Sequence, residues 1–219
     1  MRGLATTRLK IWDMPVRLFH WALVAAFLLC GVSGFLGRME LHALAGEAVL
    51  ALVLFRAGWG LAGSQTARFS DFVKGPSAVL AYLRDHRSHR IGHNPLGGWM
   101  VVALLAVLAL QAGLGLAGND DVLFDGPWAH LLPKRMSDAA TGFHRVLVWG
   151  LMAMAAAHVL AVIVHRIFFQ ENLVWPMIAG WKTVTVEDAA KKSIPANPLR
   201  ALAVAAASLF LVWWMISAS

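Results

Sequence analysis

The feature that most restricts this chain is the recurrence of long apolar stretches, at about 18–36, 41–63, 98–118, 143–165 and 200–217. A helix needs about 20 mostly apolar residues to cross a bilayer core. No water reaches the backbone there, so a spanning segment must be a helix or part of a closed barrel. These stretches are rich in Leu and Ala and lack the apolar–polar alternation of barrel strands, which selects helices. The whole chain is 59% hydrophobic and only 14% charged, far from the usage of soluble domains. The expected fold is an all-α integral membrane protein. Basic residues precede the first stretch, as in a secretory signal. However, no small-x-small cleavage pattern follows before the next stretch, so it reads as a retained helix.

The formal charge of +7 is distributed as membrane topology requires, which argues against a nucleic-acid partner. Arg2, Arg8, Lys10 and Arg17 precede the first stretch. Arg68, Lys74, Arg84, Arg87 and Arg90 follow the second, and Arg166, Lys182, Lys191, Lys192 and Arg200 follow the fourth. The alternate connection at 119–142 carries Asp120, Asp121, Asp125 and Asp138. Basic loops stay in the cytoplasm. The N-terminus and the 64–97 and 166–199 segments are therefore expected inside, with the C-terminus outside. Gly37-Arg38 makes the first two spans a tight hairpin. Ser77 is expected to cap a short surface helix after Pro76. The 119–142 connection reads as a long loop, suited to docking. Tryptophans near the span ends, including Trp12, Trp21 and Trp99, suit interfacial anchoring or packing.

Histidines are the chemically informative residues. Of nine, His86, His89 and His93 fall in a basic loop, where a solvated position is expected, and His130 and His165 lie at margins. His20, His42, His144 and His158 lie within the spans, where ionisable residues are costly and mark function. His144 and His158 are fourteen residues apart, a rise of about 21 Å, and the helical turn brings them back to within about 40° of one face. Span two runs against span one. His42 therefore shares a depth with His144, and His20 with His158, each pair drawn from two helices. Two neutral imidazoles facing each other across a bundle suit the opposite axial positions of a haem iron. Zinc would usually recruit four convergent ligands or a water. The single cysteine, Cys30, excludes an intrachain disulfide, and no C-x-x-C-H motif is present for covalent haem attachment. Buried histidines also suit a proton channel or transporter, which remains the alternative of a different class.

The strings "IWDMPVRLFHW" (11–21), "LHALAGEAVLALVLFRAGWGLAGSQTARFSDF" (41–72), "GHNPLGG" (92–98), "FHRVLVWGLMAMAAAHVLAVIVHRIF" (143–168) and "ENLVWPMIAGWK" (171–182) resemble the bacterial cytochrome b561 family. That family includes the b-type cytochrome subunit of nickel–iron hydrogenases. The resemblance implies a four-helix transmembrane bundle holding two b-type haems, with ligands at His20, His42, His144 and His158. It also implies electron transfer between the quinone pool and a redox partner. A periplasmic c-type cytochrome, another external redox protein or a small oxidant such as superoxide would fit. A membrane-anchor cytochrome b of a larger dehydrogenase or hydrogenase is the alternative within the class. The expected location is the bacterial inner membrane. Residues 1–183 are expected to form the dihaem domain, and 184–219 a cytoplasmic connector with an additional C-terminal transmembrane helix.

Arg56 lies inside the second span, with a haem propionate as its expected counter-ion and a snorkelling position as the alternative. Arg17, Arg145 and Lys182 are further propionate candidates. Glu47 and Gln111 are polar groups within spans, suited to helix contacts or a quinone. Gly46, Gly113 and Gly150 would let a flat macrocycle approach the backbone.

Overall fold

A computed structural model describes residues 6–85, 92–122, 124–185 and 195–218. Arg2, His86, Arg87, His89, Arg90, Lys191, Lys192 and the chain end at Ser219 lie outside the described residues. Five helices are long and apolar enough to cross a membrane: α1 (Met14–Phe35), α2 (Met39–Ala62), α5 (Pro95–Ala117), α6 (Lys134–Phe168) and α8 (Pro198–Ser217). Shorter helices α3 (Phe69–Phe72), α4 (Pro76–Asp85) and α7 (Val174–Ala179) lie between them. Strands β1 (Thr6–Lys10) and β2 (Trp181–Thr185) pair antiparallel, Lys10 opposite Trp181. This two-stranded sheet is an addition to the all-helical expectation, and β2 runs across the expected 183/184 boundary.

Three spans begin on one device. Asp13, Asn94 and Asn197 each cap a helix by accepting a backbone N–H three residues on, from Val16, Gly97 and Arg200. Pro15, Pro95 or Pro198 follows within the first turn, where a missing N–H costs nothing. The α1–α2 turn closes at Gly37, whose φ of +69° favours glycine.

Helix α2 is central, packing on α1, α5 and α8. In its most apolar stretch 44% of residues are buried, against 6–17% in the other spans. Those spans expose Leu28, Phe35, Val146, Trp149, Phe210 and Trp213, a surface that only lipid or a partner can cover. Mid-bundle, Val49 and Val53 of α2, Leu108 of α5 and Leu151 of α6 form one buried cluster, with Phe27 of α1 against it. The C-terminal helix α8 belongs to this packing: Val212 joins Leu50, Ala51 and Leu116 in a second cluster. Arg200 Nη1 donates to Ala62 O and Trp128 Nε1 to Met215 O. We call the end carrying the α1 start and the α2 end the basic end, and the other the hairpin end.

Two local expectations are corrected. Residues 134–142 belong to α6 rather than to a loop. At 35 residues this helix is about 52 Å long, well over the thickness of the bilayer core. The extension is polar on its outer face and tied down on its inner one. Ser137 Oγ donates to Ala117 O, Thr141 Oγ1 accepts from Asn119 N, and Lys134 bridges Asp121 and Asp138. Short-range polarity concealed these partners. Similarly, α4 starts on Pro76 itself, so Ser77 lies within its first turn and is not its cap.

Candidate functional site: paired histidines at two levels

At the hairpin end, His42 of α2 and His144 of α6 face each other with ring centroids 5.8 Å apart and planes at 86°. Each ring is held from behind. His42 Nδ1 lies 2.8 Å from Cys30 O of α1, and His144 Nδ1 lies 2.9 Å from Gln111 O of α5. A carbonyl oxygen only accepts, so both Nδ1 atoms carry the proton and both Nε2 atoms keep a free lone pair. This is the tautomer a metal-binding imidazole requires. Gln111 Nε2 donates back to His144 O, which assigns this span residue a helix contact. Glycines seat the rings: a Cβ on Gly34 would come within 2.7 Å of His42 Nδ1, and one on Gly115 within 3.2 Å of His144 Cε1. A metal–imidazole bond is about 2 Å, so an ion between two such rings separates their centres by about 6 Å. The pair fits that requirement. Among the described residues no group of three or more His, Cys, Asp or Glu converges as a cage for a bare ion.

At the basic end, His20 of α1 and His158 of α6 lie within electrostatic reach of one another. His20 stacks edge-on to Trp21 at 5.0 Å, and its buried Nδ1 has no partner among the described residues. Seven residues, about 10 Å of helix, separate Leu151 in the apolar mid-bundle cluster from His144 on one side and His158 on the other. The two levels are thus divided by an apolar layer.

Arg56 is 2% exposed, which replaces the snorkelling alternative with an enclosed guanidinium lying 5.0 and 5.6 Å from the Phe69 and Phe72 ring centres. Asp13 is within its electrostatic reach, but that carboxylate is already engaged by Val16 N, Trp59 Nε1 and Ser64 Oγ. Arg17 Nη1 donates to Ile178 O, and Lys182 pairs with Glu171 at 2.5 Å. Arg145 is exposed, within electrostatic reach of His144. A Cβ on Gly113 or Gly150 would meet open space, whereas Gly46 has Cys30 Sγ at 4.0 Å. Glu47 lines an open cavity of about 450 Å³ with Asp125, His130 and Ile216.

Two polar clusters at the basic end were not legible beforehand. His93, expected in solvent, is folded inward: its ring lies 4.6 Å from Trp12 and 4.6 Å from Phe72, and its Nδ1 is sealed. Burial, with Arg56 and His158 adding repulsion, pushes it down to about 3, so the ring is neutral. Its basic neighbours in sequence gave no sign of this. Separately, Tyr82 (8% exposed), Asn94 and His165 form a network. His165 Nδ1 donates to Ala161 O, so its Nε2 accepts, at 3.1 Å from Tyr82 Oη. Asn94 Nδ2 donates to that phenol oxygen at 3.0 Å while its Oδ1 caps α5.

A multi-pass helical bundle that pairs imidazoles across its helices has the form of a membrane electron-transfer cytochrome, and the family comparison places the chain in that class. The particular family is the prokaryotic cytochrome b561 family, whose model matches residues 11–180, and the chain belongs to it. The chain is similar to the probable Ni/Fe-hydrogenase B-type cytochrome subunit of Azotobacter vinelandii, with 26% identity over 216 residues, covering 80% of this chain and 89% of that protein. The protein of the same description from Cupriavidus necator is 23% identical over 213 residues, covering 79% and 86%. No solved structure matches the chain. The family's cofactor is haem b, and the hairpin-end histidines suit its iron on the geometric grounds above.

Proposed function

We propose that the chain moves electrons across the bacterial inner membrane through two haem b groups, one held by His42 and His144 and the other by His20 and His158. The observation that carries this reading is the hairpin-end pair, two imidazoles facing each other with their Nε2 atoms left free by carbonyls behind them. Haem, when bound, would supply one-electron redox chemistry, and His42, His144, His20 and His158 are the residues that would hold it. The protein holds the ligands, sets their separation and excludes water with the Val49–Leu151 layer. Arg56 is the counter-charge for propionates at the basic end. Arg17 and Arg145 are weaker candidates, and Lys182 is already engaged by Glu171.

A lipid quinone is the proposed partner at the basic end, in the cytoplasmic leaflet. Quinone reduction takes up protons, and the Tyr82–Asn94–His165 network offers groups that hold and pass them. A redox protein such as a c-type cytochrome is the proposed partner at the hairpin end, facing the periplasm. The description of the relatives favours a second reading, in which this chain anchors and drains a hydrogenase; co-purification of a nickel–iron subunit would support it. Residues 1–183 form the dihaem unit on this reading, and α8 is an added helix.

Reduced protein should show sharp haem b bands, and pyridine haemochrome analysis should give two haems per chain. His42→Ala and His144→Ala should remove one common haem, and His20→Ala and His158→Ala the other. A colourless preparation, or loss of one common haem in His42→Ala and His158→Ala, would overturn the assignment.

A further inference from the structure

Two side chains at the basic end, Arg56 and His93, carry buried nitrogen atoms with nothing to pair with them among the described residues. Among the described residues neither Arg56 Nη1 nor His93 Nδ1 has a hydrogen-bond partner. An enclosed guanidinium without an anion is strongly unfavourable, and Asp13 is occupied by three other donors. His93 is held in place by construction. Gly92 takes a φ of +98°, turning the chain inward, and Trp12 and Phe72 pack against the ring. Phe72 is also one of the two rings beside the Arg56 guanidinium, so both groups share one aromatic wall. The electrostatic neighbours of His93 are Arg56 and His158. One guanidinium nitrogen and one imidazole nitrogen, which is a donor in the Nδ1–H tautomer, therefore lie unpaired beside a proposed haem ligand, and the nearby Asp13 carboxylate is already engaged.

We propose that His93 and Arg56 together hold the carboxylate side chains of the basic-end haem, Arg56 Nη1 through a charge-assisted hydrogen bond and His93 Nδ1–H through a neutral one. This rests on the two-haem reading and adds to it a positioning residue, His93, that lies outside the spans. A propionate so held has its negative charge partly neutralised. Loss of either donor leaves more negative charge near the iron and favours the oxidised form.

The test is His93→Phe in the full chain, which keeps an aromatic ring between Trp12 and Phe72 but removes the donor. Haem stoichiometry, a two-component redox titration, and redox-difference infrared spectra with haem carrying ¹³C-labelled propionates are read together. The expected result is two haems per chain and an unchanged hairpin-end haem. The reduction equilibrium of the basic-end haem should shift about tenfold toward the oxidised form, about 59 mV for one electron, and the labelled carboxylate bands should shift. His93→Gln, which keeps a donor, should restore part of both. Two haems with unmoved potential and bands overturn the clamp while leaving the two-haem reading intact. One haem per wild-type chain overturns that reading first. If His93→Phe sheds the basic-end haem, His93→Gln and Arg56→Lys decide: labelled bands identical to wild type in both overturn the assignment.

Discussion

Gly34 and Gly31 lie one helical turn apart on α1 and make a controlled comparison for the hairpin-end site. A methyl on Gly34 would lie 2.7 Å from His42 Nδ1 and 2.9 Å from its Cε1, while one on Gly31 meets nothing within 4 Å. Contacts below 3.0 Å force a movement, and what moves is the ring, away from Cys30 O, to which it donates at 2.8 Å. Loss of a hydrogen bond that orients a metal-binding histidine typically lowers affinity about 10- to 100-fold, or about 1.4–2.7 kcal/mol. Replacing helical glycine by alanine gains up to about 1 kcal/mol of helix propensity in water. That gain is common to both substitutions and cancels between them. Gly34→Ala should therefore lose the haem proposed for His42 and His144 to an apo-globin acceptor about 10- to 100-fold more readily than Gly31→Ala. The basic-end haem should be unaffected in both. The assay is haem transfer followed by absorbance, with each haem identified by its redox midpoint. Equal retention in the two variants would falsify the claim that Gly34 exists to seat the His42 ring.

Other consequences are independent of that site. Asp13→Ala strips the acceptor from Val16 N, Trp59 Nε1 and Ser64 Oγ in a buried location. It should cost about 3–5 kcal/mol, read as a lower thermal midpoint in detergent, and an unchanged midpoint would refute the cap's role. Tyr82 is the chain's single tyrosine, so its titration is assigned without ambiguity by tyrosinate absorbance. Burial, then the Glu171 carboxylate, raises it above its ordinary value of 10. Its contribution to stability is therefore complete below pH 10 and is lost as pH rises through the folded value. The native transition should fall above pH 10, and Glu171→Gln should move it part of the way back. A Cβ on Gly58 would approach Val204 of α8 to 2.8 Å. Gly58→Ile should therefore displace α8, seen as faster protease cleavage before Pro198, with both haems retained.

Long-range periodicity was legible because lipid imposes it. Each of the five spans predicted from apolar length is present, with ends within a few residues except at α6. There the helix continues through Lys134–Gly142, because the partners of Ser137 and Thr141 lie about twenty residues back in sequence. The match of His42 with His144 followed from counting span directions: α2 and α6 both start at the hairpin end, and each carries its histidine near that start. Their orientation did not follow, since the carbonyls of Cys30 and Gln111 and the seats at Gly34 and Gly115 come from neighbouring helices. His93 was misjudged for a related reason. Its setting among His86, Arg87, His89 and Arg90 is polar, and what draws it inward is a glycine turn and two distant aromatic rings.

The two ends of the bundle differ in a way that bears on their chemistry. At the hairpin end both imidazoles have fixed tautomers, glycine seats and carbonyls behind them, so the proposed ligands would be set before any iron arrives. An electron-only exchange with a protein partner needs rigidity there, since small movement on oxidation keeps the transfer barrier low. The basic end has instead, among the described residues, unpartnered nitrogens at His20 Nδ1, Arg56 Nη1 and His93 Nδ1, and the phenol–imidazole–amide network of Tyr82, His165 and Asn94. Groups that hold or release protons are superfluous beside an electron relay, but necessary where a quinone takes up or gives up hydrogen. Reversing the assignment would put proton chemistry where the imidazoles have no exchangeable proton to spare. It would also put rigid electron transfer where His20 Nδ1 has no partner among the described residues. The asymmetry of hydrogen bonding is therefore what supports the proposed order of the path, with the quinone at the basic end and the protein partner at the hairpin end.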